Sequence, residues 1–478
     1  MSGQSNNSKI IITKSDIIWS YIAQFFNMGA GIIILPVILK TLPQDVLGIW
    51  YIFVTIGTFV TLLDFGFQSA FTRNVTYAFG GATTLLKEGI DPSAPIMDRP
   101  NYALIKSLIK GMKLFYGTVS LLILGLLTVL GSIYILHISS SLDNSDEILT
   151  AWFIYAVAVS IEFFYLYYDS LLLGRGFIKE NNVLIIIAKS VYITVTVVGL
   201  VCGYGIISIS IATCLSFVIK RIFSHRFFFK NGLKKLLRES SYHSQNILPI
   251  IRYNASKVGL AELAIFFTTR GNLFFASLFL PLSIVGQYGL SMQLILFVSR
   301  ISQLYFQTHM PLLTQFQIEN RKNDIRKIFS ESVLIMTLTY LSAALVIVLF
   351  GNRILELIHS QTYFLPTLPL VLLFVVYYLD VNHVLPLLLL TTKNRIPYLY
   401  ASLFSGFSIA LLSPLFMGVF HWGVYGIILS TGIVQLLYHN WKWPLVVSRD
   451  LNMSYFQIYE MGYNSLLQKC KNILGQSA

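Results

Sequence analysis

Runs of apolar residues long enough to cross a bilayer recur along almost the whole chain, since roughly twenty helical residues span the hydrocarbon. Twelve can be read, at 17–39, 46–67, 108–136, 148–173, 182–202, 204–223, 257–280, 285–308, 330–351, 365–391, 398–420 and 423–447. Hydrophobic residues make up 55% of the 478 and charged residues only 12%. That is about half the charge of a soluble domain, and few soluble folds could hide so much apolar surface. The runs are twice strand length and lack strict alternation, which excludes a β-barrel. The expected fold class is therefore an all-α polytopic membrane protein with 12 transmembrane helices. Pro369 and Pro386 fall in the tenth run and predict a kink there. The polar N-terminal tail and the long first run predict no cleavable signal.

Charge fixes the expected orientation. Thirty Lys and Arg fall on one side of the membrane in this reading, Lys189, Lys220 and Arg221 among them; only Lys40 and Arg353 fall on the other. The positive-inside rule then places both termini in the cytoplasm. The net charge of +13 follows from topology and predicts no nucleic-acid partner. Cys202, Cys214 and Cys470 suggest neither a disulfide nor a metal site, and no cofactor motif stands out. Trp50, Trp152, Trp422 and Trp443 near run ends are expected in an interfacial belt.

The chain also repeats itself. Leu42-Pro43 leading to Gly48-Ile49-Trp50 lines up with Leu280-Pro281 leading to Gly286-Gln287-Tyr288, 238 positions later. Tyr204-Gly205-Ile206-Ile207 matches Tyr425-Gly426-Ile427-Ile428, and Leu171-Leu172-Leu173 matches Leu387-Leu388-Leu389. The expectation is a six-helix bundle over 1–228, a basic cytoplasmic linker over 229–246, and a second six-helix bundle over 247–478. Six runs per half is even, so a pseudo-two-fold along the membrane normal should relate the copies, with a site at their seam.

Polar residues inside apolar runs carry the functional reading, because a charge at membrane depth is costly and faces partners or water. Gln24 and Asn27 share one face of the first run, and Asp64 and Gln68 one face of the second. Gln293, Arg300 and Gln307 form a stripe in the eighth run. The seventh carries Glu262, Thr269, Arg270 and Asn272, the fourth Glu162 and Asp169, the tenth Asp380 and His383. Glu262, Asp169 and Lys257 lie near the interface and can snorkel. Asp64, Arg300 and Asp380 suit a buried ion pair or a functional site equally. Arg270, near the midplane with no acid at helical spacing, is the leading candidate for anion binding. His383 and His309 read as packing residues.

The Leu42-Pro43 to Trp50 stretch, Asp64-Phe65-Gly66-Phe67-Gln68-Ser69-Ala70, Gly174-Arg175-Gly176, Tyr204-Gly205 and Val285-Gly286-Gln287-Tyr288 together resemble the multidrug/oligosaccharidyl-lipid/polysaccharide (MOP) exporter superfamily. The pattern is most similar to its polysaccharide branch, the Wzx-type O-antigen flippases of bacterial inner membranes. One position departs from it: many relatives carry Asp where this chain has Asn272. The resemblance implies a MATE-like fold and no enzyme activity. It implies translocation of undecaprenyl-diphosphate-linked oligosaccharide to the periplasmic leaflet by alternating access, in O-antigen and lipopolysaccharide biosynthesis. Expected partners are the lipid-linked oligosaccharide, membrane lipid and other polysaccharide-assembly proteins. Substrate binding is then expected at Arg270, Arg300, Asn272, Gln24, Asn27, Gln68 and Gln293, and ion coupling at Asp64, Glu162 and Asp380. The rival reading is an ion-coupled multidrug or small-solute antiporter of the same fold. A membrane enzyme would need a larger external loop or catalytic domain than these short connections offer.

Overall fold

The computed structural model describes residues 14–85, 97, 99–230, 232–242, 249, 259, 263, 266–267, 270–319, 321–392 and 398–475. The chain forms two compact units, Met1–Leu263 and Ala264–Ala478. In unit 1 the helices are α1 (Lys14–Ile33), α2 (Leu35–Thr41), α3 (Gln44–Leu62), α4 (Phe67–Phe79) and α5 (Tyr102–Leu126). A π turn, Leu127–Gly131, carries α5 into α6 (Ser132–Ser139); α7 (Ser145–Phe164), α8 (Tyr167–Gly174), α9 (Ile178–Val201), α10 (Gly205–Phe228) and α11 (Leu233–Glu239) follow. Unit 2 holds α12 (Gly271–Phe279), α13 (Leu282–Ser302), α14 (Leu304–Ile318), α15 (Lys322–Leu357) and α16 (Thr367–Thr391). Then come α17 (Leu399–Pro414), a second π turn (Leu415–Val419), α18 (Val424–Leu437), α19 (His439–Asp450) and α20 (Tyr455–Gly475).

Among the described residues nine helical stretches are long and apolar enough to cross a membrane, and they match nine of the twelve predicted runs. The first run is divided at Ile34, where Pro36 opens α2. The seventh is described mainly from Arg270 onward. The twelfth is divided at Tyr438, whose φ of −142° and ψ of −58° separate α18 from α19. The tenth run does not divide: α16 is one helix, with Pro369 in its first turn, where no donor is needed, and Pro386 inside it. Lipid-facing stripes are plain. Leu338, Leu341, Leu345 and Leu349 of α15 are all exposed, at helical spacing, and only hydrocarbon can solvate such a face.

The aromatic belt expectation is corrected. Trp50, Trp152 and Trp443 are buried, and only Trp422 is exposed. Trp152 donates its indole N–H to the carbonyl of Leu127, the first residue of the π turn, at 3.2 Å, and packs edge-on to Phe53 at 5.0 Å. The indoles of Trp152 and Trp443 find hydrogen-bond acceptors inside the protein, as buried Trp must.

The repeated Leu-Pro pair has one backbone path in both units. Leu42 (φ −96°, ψ 132°) and Pro43 (φ −56°, ψ 152°) are extended and start α3. Leu280 (φ −118°, ψ 150°) and Pro281 (φ −54°, ψ 142°) do the same for α13. A proline cannot donate and disfavours helix in the residue before it, so each pair ends one helix and starts the next. The long helices then end within two residues of equivalent points, at Leu62 and at Ser302, and a short helix follows.

The C-terminal helix α20 lies along the first part of α15. Gly462 lets it approach so closely that a Cβ there would sit 2.5 Å from the Ser330 carbonyl oxygen. Tyr459 meets Thr337 at 3.1 Å, and Arg326 Nε donates to the Leu451 carbonyl at 2.7 Å.

Candidate functional site

In unit 1 the break after α3 is built by Phe65 and Gly66, both left-handed at φ 47° and 74°. A left-handed Phe costs about 1 kcal/mol or more, so the surroundings must hold it. Asp64 does part of this. Its Oδ2 accepts the Gln68 amide N–H at 3.0 Å, placing a carboxylate at the positive end of α4. Its Oδ1 accepts the Tyr116 hydroxyl at 2.6 Å, and the group is buried. Ser170 Oγ of α8 donates to the Gln68 carbonyl at 2.9 Å. Gly174 admits α4, since a Cβ there would lie 2.5 Å from Val75 Cγ1. The second Gly of the Gly174-Arg175-Gly176 motif is left-handed, φ 87°.

Beside it lies a buried ionic quartet. Arg221 of α10, only 4% exposed, donates from Nε and Nη2 to the two oxygens of Glu162 at 2.8 and 2.5 Å. Its Nη1 reaches Asp169 Oδ1 at 2.7 Å. Lys220 Nζ donates to Asp169 Oδ2 at 3.0 Å and lies 3.7 Å from Glu162. Two carboxylates and two cations cancel, and the planar guanidinium serves both acids. Lys189 lies within electrostatic reach of Glu162 and Lys220. Two sequence expectations are corrected here. Asp169 is buried and paired rather than snorkelling. Lys189, Lys220 and Arg221 stand on α9 and α10, not in a loop. Glu162, expected as a coupling acid, is held by the bidentate guanidinium. Arg221 escaped the sequence reading because it lies near the end of its run, where a cation reads as a positive-inside charge; Glu162 and Asp169, seven apart on one face, were the available signal for a buried cation opposite them.

In unit 2 Arg270 is the non-helical residue before α12, with φ −130° and ψ −27°. It is half-buried and lies within electrostatic reach of Tyr377 of α16. Asn272, two residues on, is 2% exposed. Its amide donates to Thr431 Oγ1 at 2.7 Å, and its carbonyl accepts from Ser413 Oγ at 2.8 Å, with Ser430 Oγ 2.7 Å beyond. Asn272 therefore ties α12 to α17 and α18, and its polar atoms are committed within the unit. Asp380 lies 3.9 Å from His383 Nε2. His383 Nδ1 sits 3.0 Å from Asn440 Oδ1 and 3.3 Å from the Leu379 carbonyl, both acceptors as placed, so it is the protonated nitrogen. Trp443 Nε1 donates to His439 Nδ1 at 2.9 Å.

The remaining predicted residues are spread. Gln24 and Asn27 are exposed on α1, Gln68 and Gln293 half-buried on α4 and α13, and Arg300 exposed near the end of α13. Lys257, Glu262 and Thr269 lie outside the described residues. One buried acid was missed altogether. Glu331 of α15, 0% exposed, accepts from Tyr305 Oη at 2.5 Å, Lys469 Nζ at 2.7 Å and Ser465 Oγ. Partial burial opposes the Lys469 charge, but its hydrogen bonds to Glu331 and Tyr305 outweigh that and raise its pKa above the ordinary lysine value.

No family model and no curated protein matches the chain by sequence. Solved structures do match it by fold. An inward-facing MATE-family multidrug transporter of the MOP superfamily superposes with TM-score 0.70 at 12% identity, covering 92% of this chain and 99% of that one. The lipid II flippase MurJ in an inward closed conformation gives 0.61 at 13% identity, covering 94% and 91%. A MOP superfamily transporter from Pyrococcus furiosus, described as having a binding pocket of reversed polarity, gives 0.50 at 13% identity, covering 95% and 100%. The chain thus has the fold of these transporters.

Proposed function

We propose that the chain is a flippase for lipid-linked oligosaccharide, of the undecaprenyl-diphosphate O-antigen type, working by alternating access in a bacterial inner membrane with both termini cytoplasmic. The observation that carries this reading is Arg270, a guanidinium in a membrane run and the non-helical residue at which α12 begins. Interrupted helices are where transporters of other folds hold polar cargo at membrane depth, and a guanidinium binds phosphate through two parallel hydrogen bonds. An anionic head group cannot cross hydrocarbon unaided. In this scheme Arg270 holds the diphosphate and exposed Arg300 draws it in. Gln24, Asn27, Gln68 and Gln293 offer hydrogen bonds to sugar hydroxyls. Asp64 and Asp380 carry the coupling ion or proton; Glu162 joins them only if Arg221 lets go.

Arg270→Ala and Arg270→Lys, expressed at normal level in cells lacking the native chain, test the proposal through surface polysaccharide. We expect the Ala variant to lose it and the Lys variant to keep a fraction. Full polysaccharide from the Ala variant removes Arg270 from the mechanism. A second reading, an ion-coupled multidrug antiporter, draws on the MATE-like fold and on the buried Asp64–Tyr116 pair. It predicts that the same variants change drug sensitivity and leave polysaccharide alone.

A further inference from the structure

Unit 1 carries a basic surface that the transport reading does not use. The short helix α11 is pinned to α5 by its apolar side, with Leu233 and Leu237 buried. Lys106 Nζ also donates to the Ser240 carbonyl, just past the end of α11. Lys106 and Lys110 lie over the Tyr242 ring, 4.6 and 5.0 Å from its centre. Lys106, Lys110 and Lys113 are spaced by four and three residues, so they share one face of α5. The outward side of α11 presents Lys234, Lys235 and Arg238, all exposed. His225 of α10 lies within electrostatic reach of both Lys113 and Lys234, which brings the two sets together. Against these six cations stands Glu239, 4.0 Å from Lys235 and exposed.

Depth says what anion fits. Leu114, directly after Lys113, is 60% exposed and begins the lipid-facing side of α5. Lys113 therefore marks the hydrocarbon boundary, and Lys106 lies about 10 Å further out at 1.5 Å per residue. The headgroup layer on each side is roughly 5–8 Å thick. Lys110 and Lys113 thus lie in the phosphate layer of one leaflet, with Lys106 just beyond its outer edge. Exposed Ile222 and Phe223 of α10 and Leu236 of α11 add apolar side chains that can lie against acyl chains beside them.

We infer that α11 with the adjoining faces of α5 and α10 forms a binding surface for anionic phospholipid headgroups. Its α11 cations lie outside every residue assigned to cargo, so the inference stands apart from the flippase reading. Several Lys and Arg at a membrane surface bind anionic lipid with about 1 kcal/mol each, or about fivefold in affinity per cation. The test titrates the full chain, purified in detergent, with phosphatidylglycerol or phosphatidylcholine and counts bound lipid by native mass spectrometry. The native chain should prefer phosphatidylglycerol. Lys234→Gln/Lys235→Gln/Arg238→Gln should cut that preference by about a hundredfold, three such steps, while Lys322→Gln/Lys327→Gln in unit 2 leaves it. Inorganic diphosphate, added as competitor, should displace little. An unchanged preference in the triple variant overturns the inference, as does an equal loss in the unit 2 control. Complete displacement by diphosphate also overturns it, because the site then reads free phosphate and not lipid. Should the triple variant elute as aggregate, Lys110→Gln/Lys113→Gln on the surface of α5 is read the same way.

Discussion

The two units share a Leu-Pro start, a long helix, a break and a short helix, yet they fill the break with different chemistry. In unit 1 the break carries Asp64, tied to Tyr116, and the bundle around it is held by the Arg221 quartet. In unit 2 the equivalent position is Ser302, buried and bonded to the Ser299 carbonyl at 2.8 Å. There the core is stitched by neutral groups, Asn272 with Ser413, Ser430 and Thr431. The buried acid of unit 2, Glu331, is satisfied by α14 and α20. One backbone plan therefore tolerates two ways of joining helices. Ion pairs need every partner present, whereas hydroxyl networks can lose a member at smaller cost.

That contrast can be broken by removing one member of each network. Arg221→Ala leaves two buried carboxylates facing one lysine, and breaking a buried pair costs about 3–5 kcal/mol. The melting midpoint of the detergent-purified protein should fall sharply, with Arg221→Lys between it and the native chain. Asn272→Ala leaves the Ser413 and Thr431 hydroxyls short of a partner, worth about 1–3 kcal/mol, and should lower the midpoint less. If the Asn272 variant melts below the Arg221 variant, the division into ionic and neutral cores fails.

The smallest effect expected is a pH dependence in unit 2. Because the pKa of Lys469 is raised in the fold, its contribution to docking α20 is complete below the ordinary lysine value, about 10.4. It is lost only as pH rises through the higher folded value. Spin labels on α15 and α20 should keep their separation through pH 10 and lengthen above it. Glu331→Gln should bring that lengthening to lower pH.

Much of the fold could be read from the runs, because the requirement to bury backbone polar groups in lipid leaves helices as the answer. The Leu-Pro pairs could be read too, since proline dictates local backbone whatever surrounds it. The candidate site was harder. Asp64 and Arg270 announced themselves as charges among apolar residues. Arg221 did not, because it lies near the end of its run and its meaning depends on α7 and α8, distant in sequence. The partners of Asn272 were hidden for the same reason: Thr431 and Ser413 lie roughly 150 residues away in sequence. Trp152 likewise sits near a run end, and its partner, the Leu127 carbonyl, lies 25 residues away in the π turn.

That π turn sets the phase of everything after it. A wide turn holds one more residue than an ordinary one, and each residue of helix turns the screw by about 100°. Deleting a single residue from 127–131 would restore a regular helix and keep the phase of Ser132–Ser139; winding all five residues as ordinary α-helix would instead rotate Ser132–Ser139 by about that angle. Ile135 and Ser139, now buried, would swing toward the acyl chains, and an exposed leucine such as Leu136 would turn inward. The wide winding of this one loop of helix, more than the identity of its residues, decides which side of α6 meets lipid.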